Sequence, residues 1–195
     1  MESDSSRRVL RTAAQLFSRR GFDGVSVQEI CDAAGVTKPT LYYYFKSKQA
    51  LYDRLREDSW QLLQQYMGTA RRSDLTVLEQ MERAIVEFFR YLEDNEDYVR
   101  FIIRMHFPLL LSEQTSELCA HDQYRFQAMS DQLQLAIQRK EIDPHTDIPI
   151  TVSALIGTLN YIIGQVLMRN RTLDDKVALA RRIMDILIKK IPTGQ

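Results

Sequence analysis

The chain has 195 residues, enough for one domain or two small ones with a genuine core. With 26 basic and 26 acidic residues, 45% hydrophobic content, seven glycines and five prolines, it reads as an ordinary soluble helical protein and leaves no low-complexity segment. Two cysteines, Cys31 and Cys119, are too few for a disulfide framework, and the polar residues 2–8 give no secretory signal, so the expected location is cytoplasmic.

The balanced charge is unevenly placed. Residues 5–48 carry eight basic side chains (Arg7, Arg8, Arg11, Arg19, Arg20, Lys38, Lys46, Lys48) against Asp23, Glu29 and Asp32, a surplus of five. A basic N-terminal third on a neutral chain suits a DNA-binding head on a body that does not touch DNA.

Helical periodicity dominates, and about nine helices are predicted, an all-α fold. The first spans roughly 5–20, with Leu10, Ala13, Ala14 and Phe17 on one apolar face, and Gly21 ends it. Phe22-Asp23-Gly24 connects to a second helix started by the capping box Ser26…Glu29, with Ile30, Ala33 and Ala34 as its inner face and Gly35 where a C-cap needs positive φ. Thr37 caps a short third helix with Pro39 in its first turn. Ser47 caps a fourth, to about residue 70, which joins head and body. Thr76 and Glu79 predict a box for a helix to about 93, Asn95-Glu96-Asp97 starts the next, and Pro108 should end or kink it. A long amphipathic segment covers about 112–140, an uncharged helix about 148–169, and a last helix about 173–191. The uncharged stretch is long enough for a membrane span, but Pro149, Thr151, Ser153, Thr158, Asn160 and Gln165 punctuate it, so a buried core helix and no membrane contact are expected.

On a helical wheel Leu41 and Phe45 form the core side of the third helix. Pro39, Tyr43 and Lys46 fall opposite, Thr40 and Tyr42 on the flanks, and Tyr44 beside the buried face. Hydroxyls, phenols and an ammonium on that surface reach phosphates without demanding one base, and Thr40 and Pro39 can touch a thymine methyl. Lys48, in the first turn of the fourth helix, joins the helix N-terminus in holding a phosphate, as Ser26 and Gln28 would at the second helix. The specific signal is the sequence of capped helix, glycine turn, short polar-faced helix and immediate recapping.

The residues Leu10…Ala13-Ala14…Leu16-Phe17…Gly21, then Ile30…Ala33-Ala34-Gly35-Val36, then Leu41-Tyr42…Tyr44-Phe45…Ser47-Lys48…Leu51 resemble the tetracycline-repressor-like (TetR) family of transcriptional regulators. Cys31 stands where that family usually has Ala. The resemblance covers about 45 residues. It implies a helical homodimer with a three-helix DNA-binding head, residues 1–48, and a ligand-binding and dimerisation body, residues 49–195. It also places Thr37, Lys38, Pro39, Thr40, Tyr42, Tyr43 and Lys48 at positions that commonly contact DNA.

Reading DNA with so small a head calls for two heads on half-sites about 34–36 Å apart or further, hence a homodimer bound to double-stranded operator DNA. The expected interface is the last two helices: Ser153, Gly157, Asn160, Gly164 and Met168 in one line, with Ala180, Ile183, Met184 and Leu187 from the last helix. Leu155, Leu159, Ile162 and Val166 would face the subunit's own core. Trp60, Met67, Phe88, Phe101, Met105, Phe126, Met129 and Tyr161, with His106 and Gln165 as polar groups, are candidate liners of a pocket for a hydrophobic or amphipathic effector.

No cofactor is implied. His106, His121 and His145 lack paired metal-ligand spacing, and no nucleophile–base constellation or phosphate-cradling glycine loop supports an enzyme. The expected function is a transcriptional regulator, a repressor released by a small ligand. A ligand-independent or protein-responsive regulator, or an activator, is the alternative.

Overall fold

The computed structural model describes residues 4–109, 116–169 and 173–188, without the side chains of 104–122, 168 and 169. Among these residues there are nine helices: α1 (Asp4–Arg20), α2 (Val27–Ala34), α3 (Lys38–Phe45), α4 (Lys48–Gly68), α5 (Val77–Asp94), α6 (Glu96–Leu109), α7 (Ser116–Gln138), α8 (Ile148–Arg169) and α9 (Lys176–Leu187). Pro108 is the penultimate residue of α6.

The helices form two compact units, one from residues 1–64 with 95–114 and the other from 65–94 with 115–195. The first therefore holds more than the predicted head, because α6 packs along α1. The Gln15 amide donates to Asp97 at 2.8 Å across that contact. The apolar face of α1 (Val9, Leu10, Ala13, Ala14, Phe17) is buried, with Ile30 from α2, Leu41 and Phe45 from α3, and Leu51 and Leu55 from α4. In α2 the expected inner face needs one correction: Ala33 is exposed, and Cys31, 1% exposed, is buried beside Ile30 and Ala34. Burial pushes the Cys31 thiol pKa up.

The second unit is built on α5, α7, α8 and α9. Its core gathers Val77, Met81, Ile85 and Phe89 of α5, Leu133 and Ala136 of α7, Val152, Leu155 and Leu159 of α8, and Ala180, Ile183 and Met184 of α9. The start of α5 is capped twice. The Thr76 N–H donates to Glu79 at 2.8 Å while Thr76 Oγ1 accepts from the Glu79 N–H. Glu141, from beyond α7, accepts the Val77 and Leu78 N–H groups at 3.1 Å each. Four orphan donors at a helix start are thus largely satisfied, two of them from 63 and 64 residues away.

Candidate nucleic-acid interface

Four short-range devices aim α2 and α3. The first is the turn out of α1. Gly21 has φ 74°, and a β-carbon on Gly24 would stand 2.5 Å from the Arg20 carbonyl oxygen, so the chain closes tightly only with glycine there. The second is the cap of α2. Ser26 Oγ accepts from the Glu29 N–H at 3.2 Å and the Glu29 carboxylate accepts from the Ser26 N–H at 2.8 Å, the reciprocal box expected from sequence. Arg20 reaches over from α1 to the same carboxylate at 2.7 Å. The Ser26 N–H first, then Arg20 and the Ser26 hydroxyl, hold the Glu29 pKa down to about 2.

The third device ends α2. Gly35 adopts φ 63°, ψ 42°, its N–H points to the Asp32 carbonyl, and the Val36 N–H donates to the Cys31 carbonyl at 3.0 Å, a Schellman motif. A β-carbon at Gly35 would meet nothing within 4 Å, so the requirement is the left-handed backbone alone. Thr37 then caps α3, accepting from the Thr40 N–H at 3.3 Å, with the two threonine hydroxyls 2.9 Å apart. The fourth device joins α3 to α4. Lys46 sits at φ 53°, ψ −38°, and the Ser47 N–H donates back to the Phe45 carbonyl, a γ-turn with a positive central φ. Ser47 Oγ at once caps α4, accepting from the Ala50 N–H at 3.0 Å.

The outcome is a short helix with one side packed and one side bare. Leu41 and Phe45 are buried, whereas Thr37, Lys38, Pro39, Tyr42, Tyr43 and Lys46 are exposed and Thr40 and Tyr44 half-buried. Tyr43 is the most open of the α3 aromatics, at 81%, and stands edge-on to Tyr44 at 5.0 Å. Arg7, Arg11 and Arg19 lie on the exposed side of α1. The exposed α3 side, with Lys38, Lys46 and two phenols, suits phosphate oxygens and base edges.

The structure differentiates the two expected phosphate anchors at the helix starts. At α2, Ser26 Oγ accepts from the Glu29 N–H at 3.2 Å and the Gln28 amide donates to Asp32 at 2.7 Å, so both side chains have internal partners. At α4 there is no acidic residue in the first turn, and the Lys48 ammonium lies 4.1 Å from the centroid of the Phe22 ring. By sequence Phe22 belongs to a connection. The structure puts it in a cluster with Phe17 at 5.9 Å and Tyr52 at 5.0 Å, and Phe101 of α6 closes the cluster on Tyr52 at 5.0 Å. Burial raises the Tyr52 pKa. An aromatic directly after a helix-ending glycine was the available signal for Phe22, and Phe17 lay on the predicted apolar face of α1; nothing local marked Tyr52 or Phe101 as their partners.

The described pocket candidates are divided between the two units. Phe101 is a correction: it is 2% exposed within the head unit, wedged into that aromatic cluster rather than lining a body cavity. Tyr161 is a second, because 68% exposure puts it on the surface of α8. Phe88, Phe126 and Met129 do pack, half-buried, against the body core. Trp60 and Met67 are half-buried on α4, and Gln165 lines an open cleft of about 260 Å³ with Ile162, Val166, Leu173 and Leu179. The side chains of Met105, His106 and Met168 lie outside the described residues.

The last two helices also divide differently from expectation. On α8, Ser153, Gly157 and Asn160 are exposed and Gly164 half-buried, with open space around a β-carbon added at either glycine. Ile148–Leu167 is apolar enough to cross a membrane by length and composition, and 28% of it is buried within the single chain. Its core side is Val152, Leu155, Leu159, Ile163 and Leu167. On α9, Ala180, Ile183 and Met184 are corrected: they are 0–5% exposed and packed into the subunit's own core, with Leu187 half-buried against it. The outward side of α9 instead carries Arg181, Arg182 and Asp185 between Val177 and Ile186.

Residues 9–55 match the model of the bacterial regulatory proteins of the tetR family. Over 196 aligned residues the chain is 24% identical to the uncharacterized HTH-type transcriptional regulator YdgC of Bacillus subtilis, covering 95% of this chain and 91% of that one. It is 35% identical over 127 residues to the HTH-type transcriptional regulator RutR of Escherichia coli, covering 60% and 57%. In fold it is similar to the ketosteroid transcriptional regulator KstR2 of Mycobacterium tuberculosis, with a TM-score of 0.76 at 18% identity over 98% of both chains.

Proposed function

Because the chain belongs to the tetR family of bacterial regulatory proteins and is a DNA-binding transcriptional regulator, we propose that it represses transcription as a homodimer and leaves its operator when a small apolar or amphipathic molecule binds the body. The observation that carries the DNA reading is the bare face of α3 held between two caps, with Leu41 and Phe45 inward and Tyr43 81% exposed. Thr37, Lys38, Pro39, Thr40, Tyr42, Tyr43 and Lys46 form the contact surface, and Lys48 with the start of α4 holds a phosphate.

Pairing through α8 is supported by its open row of Ser153, Gly157, Asn160, Tyr161 and Gly164, which spans one face and lets a second helix approach closely. Val177 and Ile186 are the apolar groups α9 has left to add. The effector class rests on the aromatic and methionine side chains around the body core, and KstR2, similar in fold, is named for ketosteroids. The mechanism is a population shift: an effector favouring one body conformation moves α4, and the two heads no longer match both half-sites. Its differential affinity for the two states supplies the coupling.

Selection of bound sequences from random DNA by the purified protein is expected to return an inverted repeat. Absence of any enriched sequence would sink the reading. On that operator, Tyr43→Ala weakens binding while sedimentation and helical content stay unchanged; full affinity in this variant would show that another face reads DNA. Operator affinity measured across a panel of steroids, fatty acids and apolar drugs tests release, and invariance under every saturating compound would favour a ligand-independent regulator.

A further inference from the structure

We propose that Phe22 is a positioning residue for DNA binding: its ring holds the Lys48 ammonium at the start of α4, ready for the backbone phosphate assigned to that lysine above. The inference rests on that assignment and adds a second residue, one that does not itself touch DNA.

Lys48 is electrostatically out of place in the free protein. A cation in the first turn of a helix faces the positive end of the macrodipole, where a carboxylate is the favoured neighbour. The first turn of α4 has no acidic residue. What the ammonium has instead is the face of Phe22, 4.1 Å from the ring centroid, an attraction that leaves the N–H groups turned away from the ring for an anion. A free lysine loses much rotamer entropy on docking to a phosphate, and a side chain already confined over a ring loses less.

The ring is itself confined. Tyr52, one turn along α4 from Lys48, meets it edge-on at 5.0 Å and an interplanar angle of 76°. Phe17 of α1 lies against it at 5.9 Å, and Phe17 and Tyr52 are each braced by Phe101 of α6, at 6.3 and 5.0 Å. Three helices therefore fix the plane over which the ammonium lies.

A double-mutant cycle on the full-length protein tests this, with operator affinity measured across a salt series for wild type, Phe22→Leu, Lys48→Ala, the double variant and Phe22→Tyr. Lys48→Ala is expected to weaken binding and reduce the salt slope by about one per protomer. Phe22→Leu is expected to weaken binding about two- to fivefold per protomer and move the slope the same way, Phe22→Tyr to restore both. Phe22→Leu added to Lys48→Ala should cost nothing further. Because that background carries the same packing loss, a purely structural role for Phe22 gives additive effects, and additivity overturns the inference while leaving the phosphate contact standing. Unchanged affinity and slope in Lys48→Ala would remove the contact and the inference together.

Discussion

In the head unit, the functional surface is finished by short-range chemistry: Ser26 with Glu29, Gly35 with Cys31 and Asp32, Thr37 with Thr40, Ser47 with Ala50, each pair within four residues. In the body unit, the comparable surface on α8 is bare, and its internal supports come from far away, as when Glu141 caps α5 or Lys176 pairs with Glu93 at 2.7 Å. The reading surface is set mainly by neighbours in sequence, whereas the body adds to its local caps supports that lie far along the chain. Damage should therefore stay local in the first and spread in the second.

The largest test strikes the body core. Phe89→Ala removes a side chain with no exposure and should cost about 3–5 kcal/mol, read by denaturant unfolding. Hydrogen exchange at Gly35 and Val36 should still show the α2 cap formed; loss of protection there would mean that the head does depend on the body.

Next comes Gly157→Glu, on the open row of α8. Nothing lies within 4 Å of an added β-carbon, so the subunit should keep its helical content while sedimenting as a monomer. Operator affinity should then fall by on the order of a hundredfold, since one head binds alone. A variant that still sediments as a dimer would move the interface elsewhere.

Within the head, Ser26→Ala should cost about 1 kcal/mol, confined to α2. Acid tests the same cap. The Glu29 pKa is lowered from 4.5 to about 2 in the folded state, so its contribution is present above about pH 4.5 and is lost as pH falls toward 2. Glu29→Gln should flatten that part of the acid unfolding profile, and an unchanged profile would show that the box contributes nothing.

The smallest effect on stability belongs to Lys46→Gly. Glycine relieves the positive φ but raises unfolded-chain entropy, and the two should cancel to within about 0.5 kcal/mol. Operator affinity should nevertheless drop with the lost ammonium. A large change in melting temperature would mean that the γ-turn stores more strain than this offset allows.

What was legible in the sequence follows the same division. The helix starts and the Gly35 turn could be read because a cap is a property of three or four consecutive residues, and the wheel separated Leu41 and Phe45 from Tyr43 because a short helix has one core. Ala33 sits with Ile30 and Ala34 at helical spacing, but the buried arc of α2 runs through Cys31 and leaves Ala33 exposed. The α9 residues failed for a deeper reason. Ala180, Ile183 and Met184 form an apolar stripe, and a stripe records that something covers it without recording whether that is α5 of the same subunit or a second copy. Phe101 stands among the expected pocket liners as an apolar residue on a helical face, whereas its helix packs on α1 through pairs such as Gln15 and Asp97, 82 residues apart. No local pattern announces such a pair.

That pairing of α1 with α6 has a consequence for how the molecule is made and remade. Ribosomal synthesis delivers the recognition helices early, but the α1 surface covered by α6 stays open until residues beyond 95 emerge, after α5 of the other unit has already been produced. A chimera that exchanges heads by cutting within α4 would inherit a foreign α6 against α1. The natural unit of exchange is two pieces of chain, and recombination at a single crossover cannot move them together without carrying α5 along.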